Sequence, residues 1–248
     1  MKAISITVAV LLVAAAGPAL AARPLDGLKD WLADHFKAAE AQLSTTAADK
    51  APWFCHDLDC PPYKVVNKSD GYETREYKAG KWAVTQVEGL LYEPSVGVGF
   101  KRLFEFISGA NEDETKIPMT APVVTLVQPG QGPFCKSNFT VGFFMPFDFQ
   151  DSPPKPKSKD VFLADSPKDT VYVTQFGGFM VDEFTLAAKV KALRQDLDDN
   201  EQSYQDDGTY ITASYDPPFR LQHRHNEVHL RATSSNLVKR LVDSVKSS

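Results

Sequence analysis

The stretch KIPMTAPVVTLVQPGQGPF, residues 116–134, decides more about the fold than any other part of this 248-residue chain. A proline disfavours helical conformation in the residue before it, so Pro118 and Pro122 predict extended chain leading into a strand. The run PVVTLVQ, the turn PGQGP and the run FTVGFFMP then predict a β-hairpin. The stretch carries no His, Cys or Asp side chain and no catalytic motif, so its role is predicted to be structural.

Strand-like and helix-like segments occur along the chain in two similar sets. In the first set, three strands precede an amphipathic helix over Glu93–Ile107, and the hairpin follows. In the second set, strands from Val161 precede a helix over residues 182–198, and two more strands follow it. A Val-Thr-Gln tripeptide, at 84–86 and at 173–175, ends the strand before each helix. This order predicts an α+β domain with a pseudo-twofold repeat of strand–helix–strand halves.

The first predicted helix combines glycines with an aromatic face. Gly97 and Gly99 each cost about 1 kcal/mol relative to alanine, which predicts that another element packs closely over the first turns. Phe100 and Phe104 lie on the apolar face of the same helix. This face is compatible with a groove for a flat apolar ligand, and equally with an ordinary core.

The N-terminus has the layout of a secretory signal peptide over residues 1–21. Lys2 precedes the apolar run Ile4–Val13, and Ala19-Leu20-Ala21 is a small-residue cleavage site. Residues 22–51 are predicted to form an amphipathic helix over Pro24–Leu43 and a linker, with the helix docked on its own domain or on a protein partner. We expect a domain over residues 52–231, a tail over 232–248 with a short helix from Leu237, no transmembrane segment, and a secreted protein.

Charge and cysteine content narrow the function further. The net charge of −5 gives no support to nucleic-acid binding. In an oxidising compartment, Cys55, Cys60 and Cys135 predict one disulfide and one leftover thiol, with the pairing left open. The spacing of Cys55 and Cys60 does not match common zinc sites, and no metal site is predicted. Asn67 and Asn138 begin glycosylation acceptor sequences, which predicts that both lie near the surface.

The sequence contains no catalytic signature of the common hydrolase, metalloprotease or nucleotide-binding classes. It therefore predicts a protein that is not an enzyme. His223 and His225 would point to the same side of a strand, as metal ligands do. The alternative is that they belong to an exposed polar face.

Several collinear motifs resemble those of the SOUL/haem-binding protein family over residues 62–231. They are YETREY at 72–77 with Lys81-Trp82, KIPMTAPV at 116–123, GPF at 132–134, DVF at 160–162, FGGF at 176–179, and YDPP at 215–218 with NEV at 226–228. The resemblance implies a twisted antiparallel β-barrel flanked by two helices. It also implies that haem or another tetrapyrrole binds in an open groove without an enzymatic reaction.

The resemblance also implies which residues form the groove. The positions that match in this sequence are Gly97, Phe100, Phe104, Tyr215 and Arg220. This sequence differs from the family pattern at two charged positions. Residues that are basic in the family are replaced here by Gly97 and Glu105. A third difference concerns the iron ligand. The histidine that is proposed as the iron ligand in some family members is replaced here by Glu76. The remaining candidates for an axial ligand are His223 and His225, and Met119 is interpreted as a filler of the core or groove edge.

Together these observations predict a secreted haem- or tetrapyrrole-binding carrier or scavenger. The alternative is a secreted protein-interaction module that kept the fold and lost strong haem binding. The departures at Glu76, Gly97 and Glu105 favour this alternative.

Overall fold

A computed structural model describes residues 51–132, 135–180, 183–217 and 219–233. The predicted signal peptide, the predicted helix Pro24–Leu43 and the predicted helix from Leu237 lie outside these residues. The strands are β1 Tyr63–Ser69, β2 Tyr72–Tyr77, β3 Gly80–Gly89, β4 Val123–Gln128, β5 Ser137–Phe144, β6 Phe162–Ser166, β7 Asp169–Phe176, β8 Tyr210–Ser214 and β9 Asn226–Arg231. The helices are α1 Tyr92–Ile107 and α2 Glu183–Asp199, with short 3₁₀ turns at Trp53–Cys55 and Phe147–Phe149.

The strands form one antiparallel sheet in the order β1-β2-β7-β9-β8-β4-β5-β3-β6. This confirms the α+β class and the two helices. The sheet is not closed, however, because the described pairings leave β1 and β6 as its two edges. Edge strand β1 has a register shift between Val65 and Asn67 and exposed lysines at 64 and 68. Both are features with which natural sheets prevent further pairing at an edge.

The two helices pack on one face of the sheet. On β5, alternate residues Phe139, Val141 and Phe143 are buried toward this face. Gly99 confirms the predicted close packing of α1, because an added Cβ would lie 2.5 Å from Cγ2 of Val141. The same prediction is wrong for Gly97, whose added Cβ would meet nothing within 4 Å. Gly97 lies on the outward face of α1, where no other element of the described chain packs against the helix.

A disulfide-linked segment covers part of the other face of the sheet. Cys55 and Cys60 form the disulfide, which answers the pairing question, and Cys135 is an exposed free thiol. Phe54 and the disulfide pack with Ala121, Ala213 and Tyr215 in a small buried cluster. The segment thus adds a second layer over one end of this face.

The stretch of residues 116–134 ties this segment to the sheet. The backbone N–H of Ala121 donates to the carbonyl of Asp59 at 3.0 Å. Thr120 Oγ1 donates to the carbonyl of Phe144 at 2.7 Å, and the Ala121–Pro122 peptide bond is cis. Met119 is partly buried against the core beneath α1. These contacts give the stretch the structural role that its sequence predicts.

Candidate functional site

A buried polar cluster lies on the face of the sheet away from the helices. Its centre is the carboxylate of Glu227, which accepts a hydrogen bond at 2.9 Å from Arg75 Nη1 and one at 3.0 Å from the Tyr215 hydroxyl. The Nε2 atoms of His225 and His229 lie 2.7 and 2.8 Å from its two oxygens. Because an ionised carboxylate only accepts, both histidines carry a proton on Nε2.

The cluster fixes the charge of its members. Burial alone would raise the pKa of Glu227, but hydrogen bonds from His225 and His229 and the charge of Arg75 lower it well below its usual value. Burial likewise opposes the charge of Arg75, whereas Glu227 raises its pKa above the usual value. Burial raises the pKa of Tyr63 to about 12 and also raises the pKa of Tyr215, so both phenols stay neutral.

Two of the predicted site residues belong to this cluster. Tyr215 is buried, with its ring 4.7 Å from that of Phe54. His225 stacks on Phe54 at 3.9 Å and is also buried. The structure therefore places Tyr215 on the opposite face of the sheet from α1, and it does not bring Tyr215 together with Phe100 and Phe104.

His223 does not lie on a strand, although the sequence predicted a strand at this position. Strand β9 begins at Asn226, and His223 lies in the preceding turn with a φ of 53°. The prediction that His223 and His225 share one side of a strand is therefore wrong. His223 is exposed, whereas His225 is buried, because only His225 is drawn into the cluster around Glu227.

The predicted residues of α1 form one stripe along the helix, in which Phe100 is half-buried with its ring 5.3 Å from that of Phe143. Gly97 is exposed, and the rings of Phe100 and Phe104 stack 5.8 Å apart. Phe104 is 49% exposed. The spacing of these three positions places them on adjacent turns of one side of the helix, so the structure does bring them together.

Three segments are linked at the end of the molecule where both helices begin. The N–H of Tyr92, the first residue of α1, donates to Glu183 Oε1 at the start of α2. Asn226 Nδ2 donates to the carbonyl of Gly178, in the loop that follows β7. Arg224 donates to the carbonyl of Arg220 and lies over the Phe179 ring at 4.5 Å. The start of α1, the connection from β7 to α2, and the loop from β8 to β9 are therefore neighbours.

These three segments carry large apolar side chains that are exposed to solvent. We call this set the apolar rim, and its members are Leu90 (60% exposed), Leu91 (56%), Phe179 (42%), Phe184 (88%), Phe219 (82%) and Leu221 (74%). Sequence reasoning missed all six. The signal available in the sequence was the occurrence of large apolar residues directly beside turns and helix starts, where little core is available to bury them.

Arg220 is a predicted site residue on the loop from β8 to β9, between the rim residues Phe219 and Leu221. Its Nε atom is 3.2 Å from Asp216 Oδ1 and donates to the carbonyl of Gln222. Asp216 also contacts His56 Nε2 at 3.0 Å. The Arg220 side chain is 36% exposed, so its guanidinium remains accessible for a further partner.

The remaining predicted residues lie away from the rim. Asn67 is exposed on β1, whereas Asn138 on β5 is half-buried and donates to Gln128 Oε1 at 3.3 Å. Across the residues that the structure describes, we find no group of three His, Cys, Asp or Glu side chains arranged so that it could hold a metal ion. The described helices are all too short or too polar to cross a membrane.

Comparisons with known proteins agree on one family. The model of the family "SOUL heme-binding protein" matches residues 58–231. Heme-binding protein 2 of Homo sapiens is 39% identical over 77% of this chain and 88% of its own length. Heme-binding protein 1 of Xenopus laevis is 32% identical over 66% of this chain and 87% of its own length.

A solved structure shows a similar fold at low sequence identity. The C-terminal domain of EcmrR superimposes with a TM-score of 0.51 at 12% identity, covering 69% of this chain and 98% of that domain. This likeness concerns the fold alone. Because the family model matches residues 58–231 and the relatives are similar over most of their length, the chain belongs to the SOUL heme-binding protein family.

Proposed function

We propose that this chain binds haem or a related tetrapyrrole at the apolar rim and catalyses no reaction. The observation that carries the proposal is the exposure of six large apolar side chains on three linked segments. Exposed apolar groups gathered at one end of a domain mark a binding surface. The names of the relatives, Heme-binding proteins 1 and 2, support tetrapyrrole as the ligand.

The rim residues fit the chemistry of haem. A haem has two flat apolar faces, propionate groups and an iron, and it would supply its own absorbance and redox chemistry when bound. Phe219 and Leu221 would cover an apolar face, while Arg220 would pair with a propionate. The exposed imidazole of His223 would meet the iron. His225 has no part in the proposal, because Glu227 already holds its Nε2 atom in a buried cluster.

The departures on α1 bear on the orientation of the ligand. The carboxylate of Glu105 is exposed on α1 and would repel a propionate. Arg220, in contrast, offers a partly exposed cation on the loop between β8 and β9. We infer that the propionates lie toward this loop and that only the apolar part of the ligand reaches the stripe of Gly97 and Phe100.

A haem titration followed at the Soret band tests the site. We expect the chain from Ala22 to shift and sharpen the band near stoichiometric haem, and F219S with L221S to weaken binding at least about tenfold. The matched control is F162S, which removes a 48% exposed phenylalanine from edge strand β6. Equal haem affinity of the rim variant and the unmodified protein would contradict the proposed site.

Comparison of haem with metal-free protoporphyrin tests the iron ligand separately. H223A is expected to weaken haem binding and alter the Soret position while leaving metal-free protoporphyrin unaffected. If H223A changes neither spectrum, the iron has another ligand, and the assignment of His223 is wrong.

We further propose that the protein acts outside the cell as a carrier or scavenger. The N-terminal sequence supports this, as does a disulfide between Cys55 and Cys60, since such bonds persist in oxidising compartments. Expression in secretory cells is expected to yield protein in the medium that begins at Ala22. Retention of uncleaved protein inside the cell would contradict this part of the proposal.

A protein-interaction module is the second candidate function. The observation in its favour is a further exposed apolar surface on α1, where Val98 is 47% and Phe104 49% exposed. Pull-down from extracellular fluid, with and without residues 24–43, distinguishes the two functions. Specific capture that needs Phe104 and is indifferent to haem would favour the module.

We also infer that the domain consists of two similar halves, which support the rim together. The proposed halves are β2-β3-α1-β4-β5 and β6-β7-α2-β8-β9. The strand order supports this division, because corresponding strands of the two halves are equally far from the β4–β8 pair. Each half contributes a helix start to the rim. We propose that the open sheet curves between the halves toward the shape of a barrel.

A further inference from the structure

A cavity of about 290 Å³ lies on the face of the sheet away from the two helices. Strand β5 shows the separation of the two faces. Its residues Thr140, Gly142 and Phe144 line the cavity, whereas the alternate residues Val141 and Phe143 pack beneath α1. None of the six residues of the apolar rim lines the cavity. It is therefore a site distinct from the proposed haem site.

Trp82 and Phe144 form an apolar wall at one end of the cavity. Leu126 and Ile211 continue this wall toward His229, which is the register partner of Ile211. Gly142 allows these side chains to pack closely over the strand, because an added Cβ would lie 3.0 Å from Val124 Cγ2 and 3.5 Å from Trp82 Cε3. An aromatic wall with a glycine floor suits a flat ring system.

The other end is polar and rests on the cluster around Glu227. Tyr77 and His229 line the cavity, and the Tyr77 hydroxyl accepts a hydrogen bond from Arg75 Nη1 at 3.3 Å. Its own proton has no acceptor among the described residues. His229 donates from Nε2 to Glu227, and its Nδ1 atom remains available to a ligand. The polar end thus offers the Tyr77 hydroxyl and the His229 Nδ1 atom on side chains held in place by buried neighbours.

The charges around the cavity are paired with one exception. Asp169 lies 3.1 Å from Arg231 Nε, and Asp165 lies 2.6 Å from Lys81 Nζ. Lys78 also lines the cavity and is exposed. It has no carboxylate partner within the described part of the chain. The balance at this end therefore favours a ligand with one negative charge.

We propose that this cavity binds a small aromatic carboxylate. The ring system lies against Trp82 and Phe144, and the carboxylate accepts hydrogen bonds from Tyr77 and Lys78. The cavity volume equals that of about ten water molecules in the liquid, which matches a fused bicyclic ring with one substituent. A tetrapyrrole is several times larger than such a ligand and is confined to the rim.

Isothermal titration of the chain from Ala22 with 2-naphthoate tests the proposal. The comparison probes are 2-naphthylmethanol, which is neutral, and 2-naphthylmethylammonium, which is a cation. We expect 2-naphthoate to bind most tightly and K78Q to weaken it about tenfold, with 2-naphthylmethanol unchanged. The matched control is K64Q, which removes an exposed lysine of β1 that does not line the cavity. Equal affinities for the anion and the cation would overturn the assignment of the ligand class.

A second pair of measurements tests the location. L126W is expected to fill the cavity and abolish naphthoate binding while leaving the haem titration intact. F219S is expected to weaken haem binding while leaving naphthoate binding unchanged. In the unmodified protein, nuclear Overhauser contacts should join naphthoate protons to the Ile211 methyl groups and the Trp82 indole. These contacts do not depend on how any variant folds. Their absence at saturating naphthoate, or full binding by folded L126W, would overturn the proposed site.

Discussion

Arg75 on β2 and Glu227 on β9 meet across the intervening strand β7, with Nη1 2.9 Å from Oε1 and both side chains fully buried. The pair stays ionised because hydrogen bonds to the carboxylate and a ring contact with the guanidinium support the two charges against burial. His225, His229 and Tyr215 donate to the carboxylate, and the guanidinium lies 4.3 Å from the Tyr63 ring. The pair thus links β2 to β9 across β7 at the polar end of the cavity.

Removing one partner of this pair is expected to destabilise the fold strongly. R75M leaves the Glu227 carboxylate buried without its cation, and such a loss costs about 3–5 kcal/mol. The control is K168Q, which breaks the exposed pair between Lys168 and Glu76 and is expected to cost less than about 1 kcal/mol. Urea unfolding measures both. A loss in R75M no larger than that in K168Q would contradict the role of the buried pair.

The dependence of stability on pH follows from the direction of the pKa shift of Glu227. The pKa of Glu227 is lower in the folded protein than the usual value of a glutamate, so the folded state favours the ionised form. The resulting stabilisation is complete above the unfolded pKa and is lost as the pH falls below it toward the folded pKa.

We therefore expect the free energy of unfolding to fall as the pH is lowered below about 4.5, and to fall less steeply in E227Q. Urea unfolding at several pH values measures both slopes. The control is E76Q, which removes a partly exposed carboxylate of β2. Parallel pH profiles for E227Q and the unmodified protein would show that another group is responsible.

The sequence predicted the elements of the fold because their signals are local. The alternation of apolar residues in β3 to β5 and the helical period of α1 need only neighbouring residues to be read. Arg75 and Glu227, in contrast, are 152 positions apart. No local pattern indicates that their strands lie on either side of β7, so the polar cluster was not predicted.

The positions of Tyr215 and Phe184 could not be predicted from the sequence, for two physical reasons. Tyr215 follows β8 directly, and the pleat of the strand and the stacking of Phe54 decide which face it joins. The exposure of Phe184 depends on how α2 is rotated against the sheet, which is set by the buried residues Leu186, Val190 and Leu193. Both outcomes arise from tertiary packing.

The two glycines of α1 are expected to respond to alanine with opposite signs. G97A gains helix propensity without a new contact, so the free energy of unfolding is expected to rise by up to about 1 kcal/mol. G99A places a methyl group 2.5 Å from Val141 Cγ2, and such overpacking costs about 1–3 kcal/mol. Thermal and urea unfolding measure both, and each variant is the control for the other. A stabilising G99A would show that α1 does not lie as close to β5 as described.

The disulfide between Cys55 and Cys60 is expected to stabilise the segment over the polar cluster. It closes a short loop, for which the entropic model gives about 2 kcal/mol. C55S with C60S is therefore expected to lower the free energy of unfolding by about this amount. Since Phe54 stacks on His225, loosening this segment is also expected to speed amide hydrogen exchange in β9.

Cys135 provides the control for the disulfide, because it is exposed and unpaired. C135S is expected to leave stability and hydrogen exchange unchanged, and it should remove the one thiol per chain that a thiol reagent titrates in the folded protein. Two or more reactive thiols in the folded, unreduced protein would contradict the pairing. Unchanged exchange in β9 after C55S with C60S would instead show that Phe54 holds its place over His225 without the disulfide.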